Sequence, residues 1–240
     1  MKKTLNIAHR GLSGLYPENT MLAFEKAIEV GCDGIETDVQ LTKDGVAIIC
    51  HDEELDRTTT GKGLLCNYTY DELMQLDAGI KFGEEFRGLK LPTLEEFLAY
   101  VCDKDIIINL EIKNSIIHYE NIEDITYSLI KKYNMQDKVI VSTFDHYSIK
   151  KCLRLDKNIK TGVLYWDCIY EPYNYVNMLG ADALHPEYHS VTKEIVEKAH
   201  GNYLDVNVYT VNSKEDMKKM INLGVDGIIT NYPNILKELL

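Results

Sequence analysis

Glu36 and Asp38 lie two residues apart in the run Gly34-Ile-Glu-Thr-Asp-Val39. In an extended chain that spacing sends both side chains out of one face. The neighbours Gly34, Ile35 and Val39 read as buried, and a buried pair of carboxylates is costly unless a cation answers it. Hard oxygen donors with no cysteine cluster or paired-histidine motif beside them favour Mg²⁺ or Ca²⁺ over zinc. The strand then runs through Lys43 into Asp44-Gly45, a hairpin signal, and returns as Val46 to His51. A two-residue loop makes Lys43 face Val46 and sets Asp38 opposite His51 on the same face. A later apolar run, Ile106 to Lys113, closes with Glu111 and Lys113, again two apart. His9-Arg10-Gly11 closes the first apolar run of the chain.

Residues so far apart in sequence converge only if the elements carrying them do. Short β-rich runs alternate with helical patterns along the chain, which is the signature of parallel βα units. Eight runs stand out: Leu5–His9, Gly34–Leu41, Ile106–Lys113, Val139–Phe144, Thr161–Trp166, Ala183–His185, Val206–Val211 and Gly227–Thr230. Helical patterns fall over Thr20–Val30, Ile122–Tyr133, Tyr147–Leu155, Val191–His200, Lys214–Leu223 and Asn234–Leu240, and Thr93 followed by Glu95-Glu96 marks another start. Eight units in 240 residues predict a closed (β/α)8 TIM barrel, because closure leaves no edge strand and the length is typical. In such a barrel the C-terminal strand ends collect the catalytic groups, which is where His9, Glu36, Asp38, Glu111 and Lys113 fall.

The pattern GxDGIxT[DN] occurs at residues 31–38 and again at 224–231, with a weaker copy in Gly180-Ala-Asp-Ala-Leu-His185. Each copy reads as a glycine ending a helix ahead of a buried strand. Where the late copy has Ile229, the early one has Glu36, so a charge replaces hydrocarbon. Residues 52–91 break the alternation and are expected to be a small insertion over the C-terminal mouth of a single domain spanning residues 1–240.

A net charge of -12 and the absence of a basic stripe exclude nucleic acid as a partner. The six cysteines are scattered without a CxxC pair, and the N-terminal apolar stretch is too short for a signal peptide. The expectation is a cytoplasmic, soluble chain, monomeric or homodimeric, with no stable membrane insertion.

The ordered set HRG (9–11), PENT (17–20), ExD (36–38), TKDG with HD (42–45, 51–52), LPTLEE (91–96), LEIK (110–113), STF (142–144) and the closing LGVDGIITNYP covers nearly the whole chain. It resembles the glycerophosphodiester phosphodiesterase family. The resemblance implies a β/α barrel that hydrolyses glycerophosphodiesters, such as glycerophosphocholine and glycerophosphoethanolamine, with one divalent cation, Mg²⁺ or Ca²⁺. It implies Glu36, Asp38 and Glu111 as metal ligands, His9 and His51 as the acid–base pair, and Arg10 and Lys113 as phosphate contacts. Tyr209, where many members carry Trp, and Asn231, where many carry Asp, bear on the shape of the alcohol pocket. Glu18 either orients Arg10 or is an acid ahead of a helix start. His185 is expected at the rim or in a structural role; His118, His146, His189 and His200 are given none. The rivals are a lysophospholipase D or phospholipase C-like activity on the same barrel, and a non-catalytic phosphodiester-binding protein.

Overall fold

The structure, a computed structural model, describes residues 3–240. The chain enters on β1 (Leu5–His9) and passes through α1 (Met21–Glu29) to β2 (Gly34–Leu41) and a short return strand, β3 (Ala47–Ile49). After the insertion, with its single-turn α2 (Tyr70–Leu73), come α3 (Leu94–Val101), β4 (Ile107–Ile112), α4 (Ile122–Lys132), β5 (Val139–Thr143) and α5 (His146–Leu155). The second half is β6 (Lys160–Tyr165), α6 (Pro172–Leu179), β7 (Ala183–Pro186), α7 (Lys193–Gly201), β8 (Asp205–Val208), α8 (Lys214–Leu223), β9 (Gly227–Thr230) and α9 (Pro233–Lys237). β1 pairs in parallel with both β2 and β9, so β1, β2 and β4 to β9 close as an eight-stranded parallel barrel. All eight expected strands are present, three with the expected bounds and five with one or both ends shifted by one to three residues. Of helix α6 only the end at Gly180 was legible beforehand, not the range. It starts on Pro172, and proline is tolerated there only because the first helical position needs no amide hydrogen.

The repeated glycine–aspartate motif turns out to be a joint at the N-terminal ends of the strands. Gly180 and Gly224 cap α6 and α8 at φ +77° and +81°, a left-handed conformation that glycine adopts without strain. The aspartate two residues on then accepts the backbone N–H of a neighbouring strand: Asp33 from Asn6 (2.9 Å), Asp182 from Thr161 (2.9 Å) and Asp226 from Val206 (2.9 Å). Charge-assisted bonds of this kind pin the bottom of the barrel and leave the opposite rim for chemistry.

Between the sheet and its helices lie two large apolar clusters, one around Phe24, Ile35 and Phe97 and one around Val163, Leu184 and Val206. A smaller apolar group comprises Ile7, Leu164, Tyr209 and Ile229. The insertion carries its own cluster, Leu55, Leu65, Leu73, Ala78 and Leu91, seated on Ile48 and Cys50 beside β3. It also meets the β1–α1 loop, where the Tyr16 and Phe86 rings lie edge to face with centroids 5.9 Å apart.

His185 is not at the rim. It is fully buried, and its Nε2 lies 3.0 Å from the Asn207 side-chain amide. It fills the space that Gly162 leaves, since a Cβ at residue 162 would come within 2.4 Å of the ring. Burial lowers its pKa from 6.5 to about 3. The unfolded chain therefore binds a proton that the folded one refuses between those two values. Stability is unaffected above about pH 6.5 and falls as pH drops below it, by about 1.4 kcal/mol per pH unit for one such group. Urea midpoints at pH 7 and pH 5 are expected to differ less in His185→Gln than in the parent chain, by about 2 kcal/mol in converted free energy; an equal difference in both rules out this origin.

Candidate active site

The site is built at the C-terminal ends of β1, β2 and β4. Parallel register places His9 beside Glu36, and Asp38 beside Glu111. At the end of β1 the chain turns sharply, with Arg10 at φ +57° and Gly11 at φ +83°. A Cβ on Gly11 would come within 2.6 Å of the Ala23 backbone, so this turn packs against α1 with no room to spare. The left-handed conformation of Arg10, unusual for a residue other than glycine, lets its N–H reach both the Glu36 carbonyl (2.9 Å) and Glu36 Oε2 (3.1 Å).

In the loop that follows, Glu18 Oε1 accepts from Arg10 Nη1 at 2.8 Å. The first turn of α1 has no acidic residue and is capped by Thr20, so of the two roles open to Glu18 the structure supports the pairing with Arg10. Asn19 donates from its side-chain amide to Asp38 Oδ2 (2.8 Å) and accepts from the Thr37 hydroxyl (2.8 Å). One carboxylate oxygen from each of Glu36, Asp38 and Glu111 lies within 4.8 Å of the others, and all three residues are buried. Lys113 Nζ pairs with Glu111 at 2.9 Å, and Arg10 Nε approaches Asp38 Oδ2 at 3.4 Å.

Three buried carboxylates against two cations leave an excess of negative charge. Burial and the neighbouring Asp38 push Glu36 well above the ordinary carboxylate range, and burial raises Glu111 as well, against the pull of Lys113. Burial also opposes ionisation of Asp38, but Arg10, His51 and Lys113 outweigh it and hold its pKa at about 2. Asp38 Oδ1 is a buried acceptor with no hydrogen-bond partner among the described residues, which is expensive unless something cationic meets it. A hard divalent cation fits this donor set: oxygen ligands only, converging from two strands, with one lone pair set unclaimed.

The hairpin brings His51 in by a different register from the one expected. Val39 pairs with Ile49 and Leu41 with Ala47, and Cys50 N donates to the Asp38 carbonyl at 3.1 Å. Asp38 thus faces Cys50, one residue short of His51. The cause is a three-residue loop: Thr42 pairs with Val46 around Lys43-Asp44-Gly45, with Gly45 at φ +80°. His51 still reaches the site because buried Gln40 grips the chain beyond β3. Its side-chain amide donates to the carbonyls of Cys50 (2.8 Å), His51 (3.2 Å) and Asp52 (2.8 Å).

The two imidazoles have different partners. His51 Nδ1 lies 2.6 Å from Asp52 Oδ1, so Nδ1 carries the hydrogen and Nε2 is left for chemistry. His9 Nδ1 meets the neutral side-chain oxygen of Asn231 at 2.6 Å, and its Nε2 is 3.9 Å from Glu36 Oε2. Burial and the adjacent Arg10 lower the His9 pKa to about 3, which keeps it neutral. Across the mouth from the charges stands an apolar wall. The buried Tyr209 ring meets Phe144 edge to face (6.1 Å) and the exposed Trp166 (6.5 Å), while its hydroxyl donates to the Tyr165 carbonyl (3.0 Å).

The structure therefore gathers His9, Arg10, Glu18, Glu36, Asp38, His51, Glu111 and Lys113 into one network, and sets Tyr209 in the facing wall with its hydroxyl already engaged. Sequence reasoning missed Asn19, Gln40, Asp52 and Arg57. Asp52 and Asn19 sit inside motifs noted for other residues, HD and PENT. Arg57 carried no local signal.

A barrel with paired imidazoles and a cation-ready carboxylate cluster at its C-terminal rim defines a class of hydrolytic β/α-barrel enzymes acting on anionic esters. The model of the glycerophosphoryl diester phosphodiesterase family matches residues 9–235. A glycerophosphodiester phosphodiesterase from Caldanaerobacter subterraneus subsp. tengcongensis is 47% identical over 99% of this chain and 98% of its own length. One from Bacillus altitudinis is 45% identical over 95% of this chain and 94% of its own. Among solved structures, an Oleispira antarctica phosphodiesterase in complex with the product sn-glycerol-3-phosphate superposes with a TM-score of 0.89 at 30% identity, covering 97% of this chain and 94% of that one. The chain belongs to the glycerophosphoryl diester phosphodiesterase family and is a phosphoric diester hydrolase. Among the described residues no helix is long and apolar enough to cross a membrane.

Proposed function

We propose that the chain hydrolyses glycerophosphodiesters such as glycerophosphocholine and glycerophosphoethanolamine to sn-glycerol 3-phosphate and a free alcohol, by histidine acid–base catalysis supported by a divalent cation. The observation that carries this reading is the pair of imidazoles flanking the cluster of Glu36, Asp38 and Glu111. Those three carboxylates are the ligands for Mg²⁺ or Ca²⁺, which when bound supplies Lewis-acid stabilisation of charge on the phosphoryl oxygens. Arg10 and Lys113 face the same phosphate and offset its developing charge. His9, neutral and backed by an uncharged amide, takes the proton from the nucleophile at Nε2. His51, backed by the Asp52 carboxylate, holds a proton on Nε2 and delivers it to the leaving alkoxide. Tyr209 bounds the alcohol side. Six unpaired cysteines fit a cytoplasmic enzyme working on a small soluble substrate as a monomer or homodimer, with residues 52–91 an insertion of one barrel domain.

One observation favours a second reading. Trp166 and Tyr170 after β6 and Ile116 after β4 are exposed large hydrophobic side chains, apolar surface of the kind an acyl chain needs. A panel of deacylated diesters and lyso-lipids scored for release of the free alcohol, with and without Mg²⁺ or Ca²⁺, separates the two. Metal-dependent release is expected to be fastest from deacylated diesters. Faster turnover of a lyso-lipid reverses the ranking, and metal-dependent binding without any turnover sinks the catalytic reading.

A further inference from the structure

Arg57 comes from the insertion and touches neither the carboxylate cluster nor an imidazole, yet it joins the two sides of the site. Its Nη1 and Nη2 reach both oxygens of Glu18 at 2.7 and 2.8 Å, and its Nε and Nη2 reach both oxygens of Asp52 at 2.6 and 3.0 Å. Glu18 also holds Arg10, and Asp52 also holds His51 Nδ1 at 2.6 Å. A continuous chain of charged groups thus runs from Asp38 through Arg10, Glu18, Arg57 and Asp52 to His51. A planar guanidinium is the one side chain that can take two carboxylates side by side in fixed planes.

We propose that Arg57 is a positioning residue for the acid–base step, acting through Asp52 on His51 and through Glu18 on Arg10. The proposal rests on the function given above. Without the guanidinium, Asp52 is free to rotate about its side-chain bonds toward water, because among the described residues no other hydrogen bond holds its carboxylate with Oδ1 on His51 Nδ1. The imidazole then samples both tautomers and both ring orientations, so the proton donor faces the leaving group only part of the time. Fold stability is a separate matter. The Arg57 side chain is 49% exposed, and exposed ion pairs contribute little to it.

The test compares Arg57→Ala, Arg57→Lys, Asp52→Ala and the Arg57→Ala/Asp52→Ala pair in the full-length chain loaded with Mg²⁺. Arg57→Ala is expected to lower kcat on glycerophosphocholine by about 10–100-fold, with little change in melting temperature. Arg57→Lys, a cation without the fork, is expected to recover only part of it. Added guanidinium chloride at millimolar concentration should restore turnover to Arg57→Ala more fully than to the double variant, whose kcat should fall below that of Asp52→Ala by less than the full Arg57→Ala factor, since only the Glu18 arm is left to lose. A kcat within twofold of the parent, or additive losses in the double variant, overturns the proposal. Histidine side-chain nitrogen NMR in alkaline buffer reads the same point without turnover: the Nδ1–H tautomer of His51 is expected to dominate in the parent and to become mixed in Arg57→Ala. A parent chain that is inactive on every diester but shows that tautomer change overturns the functional reading alone. An active parent whose His51 signal is identical in Arg57→Ala overturns the positioning role alone.

Discussion

Replacing His9 or His51 with alanine is expected to cut kcat on glycerophosphocholine by about 10²–10⁴-fold each, the range for loss of a positioned proton carrier. Neither side chain belongs to the apolar core, so the variants should melt close to the parent. The two losses are not expected to multiply, because base and acid serve one transition state. A diester of glycerol phosphate and p-nitrophenol tells the roles apart. Its phenolate departs without a proton, so His51→Ala should be nearly as active as the parent on it, while His9→Ala remains impaired. The opposite pattern exchanges acid and base. Full activity of His9→Ala on both substrates removes the proposed mechanism.

The second large effect concerns the carboxylates. Chelation is expected to abolish turnover and lower the melting temperature, since a ligand at a hundred times its dissociation constant stabilises the folded state by about 2.7 kcal/mol. Glu36→Gln carries the sharper expectation. Burial and Asp38 both work against a charge on Glu36, so without metal the neutral amide relieves repulsion that the parent must bear. In chelator this variant should melt above the parent; in saturating Mg²⁺ or Ca²⁺ the order should invert, and turnover should be lost under both conditions. A differential scan with and without metal shows the crossing directly. If metal stabilises Glu36→Gln as strongly as the parent, Glu36 is not a ligand.

Much of this site was written locally. Glu36 and Asp38 had to share a face because a strand alternates every two residues, and Glu111 and Lys113 follow the same rule on β4. Threonine caps with a glutamate three residues on fixed the start of α3, and left-handed glycines fixed the ends of α6 and α8. The hairpin was only half legible. Asp44-Gly45 announced the turn, but whether two or three residues form the loop depends on backbone angles that the letters alone do not set, and one residue of loop length moved the partner of Asp38 from His51 to Cys50.

The amino-acid order by itself determined the alternating elements, their caps and which side chains leave each strand together, because those preferences act over a few residues of backbone. Only the closed barrel decided what those side chains meet. The partner of His9, Asn231, is 222 residues away, and that of Arg57, Glu18, is 39 away. Contacts at that range arise from strand closure and from where an insertion folds back, and they decide which nitrogen of each histidine is left free to carry a proton.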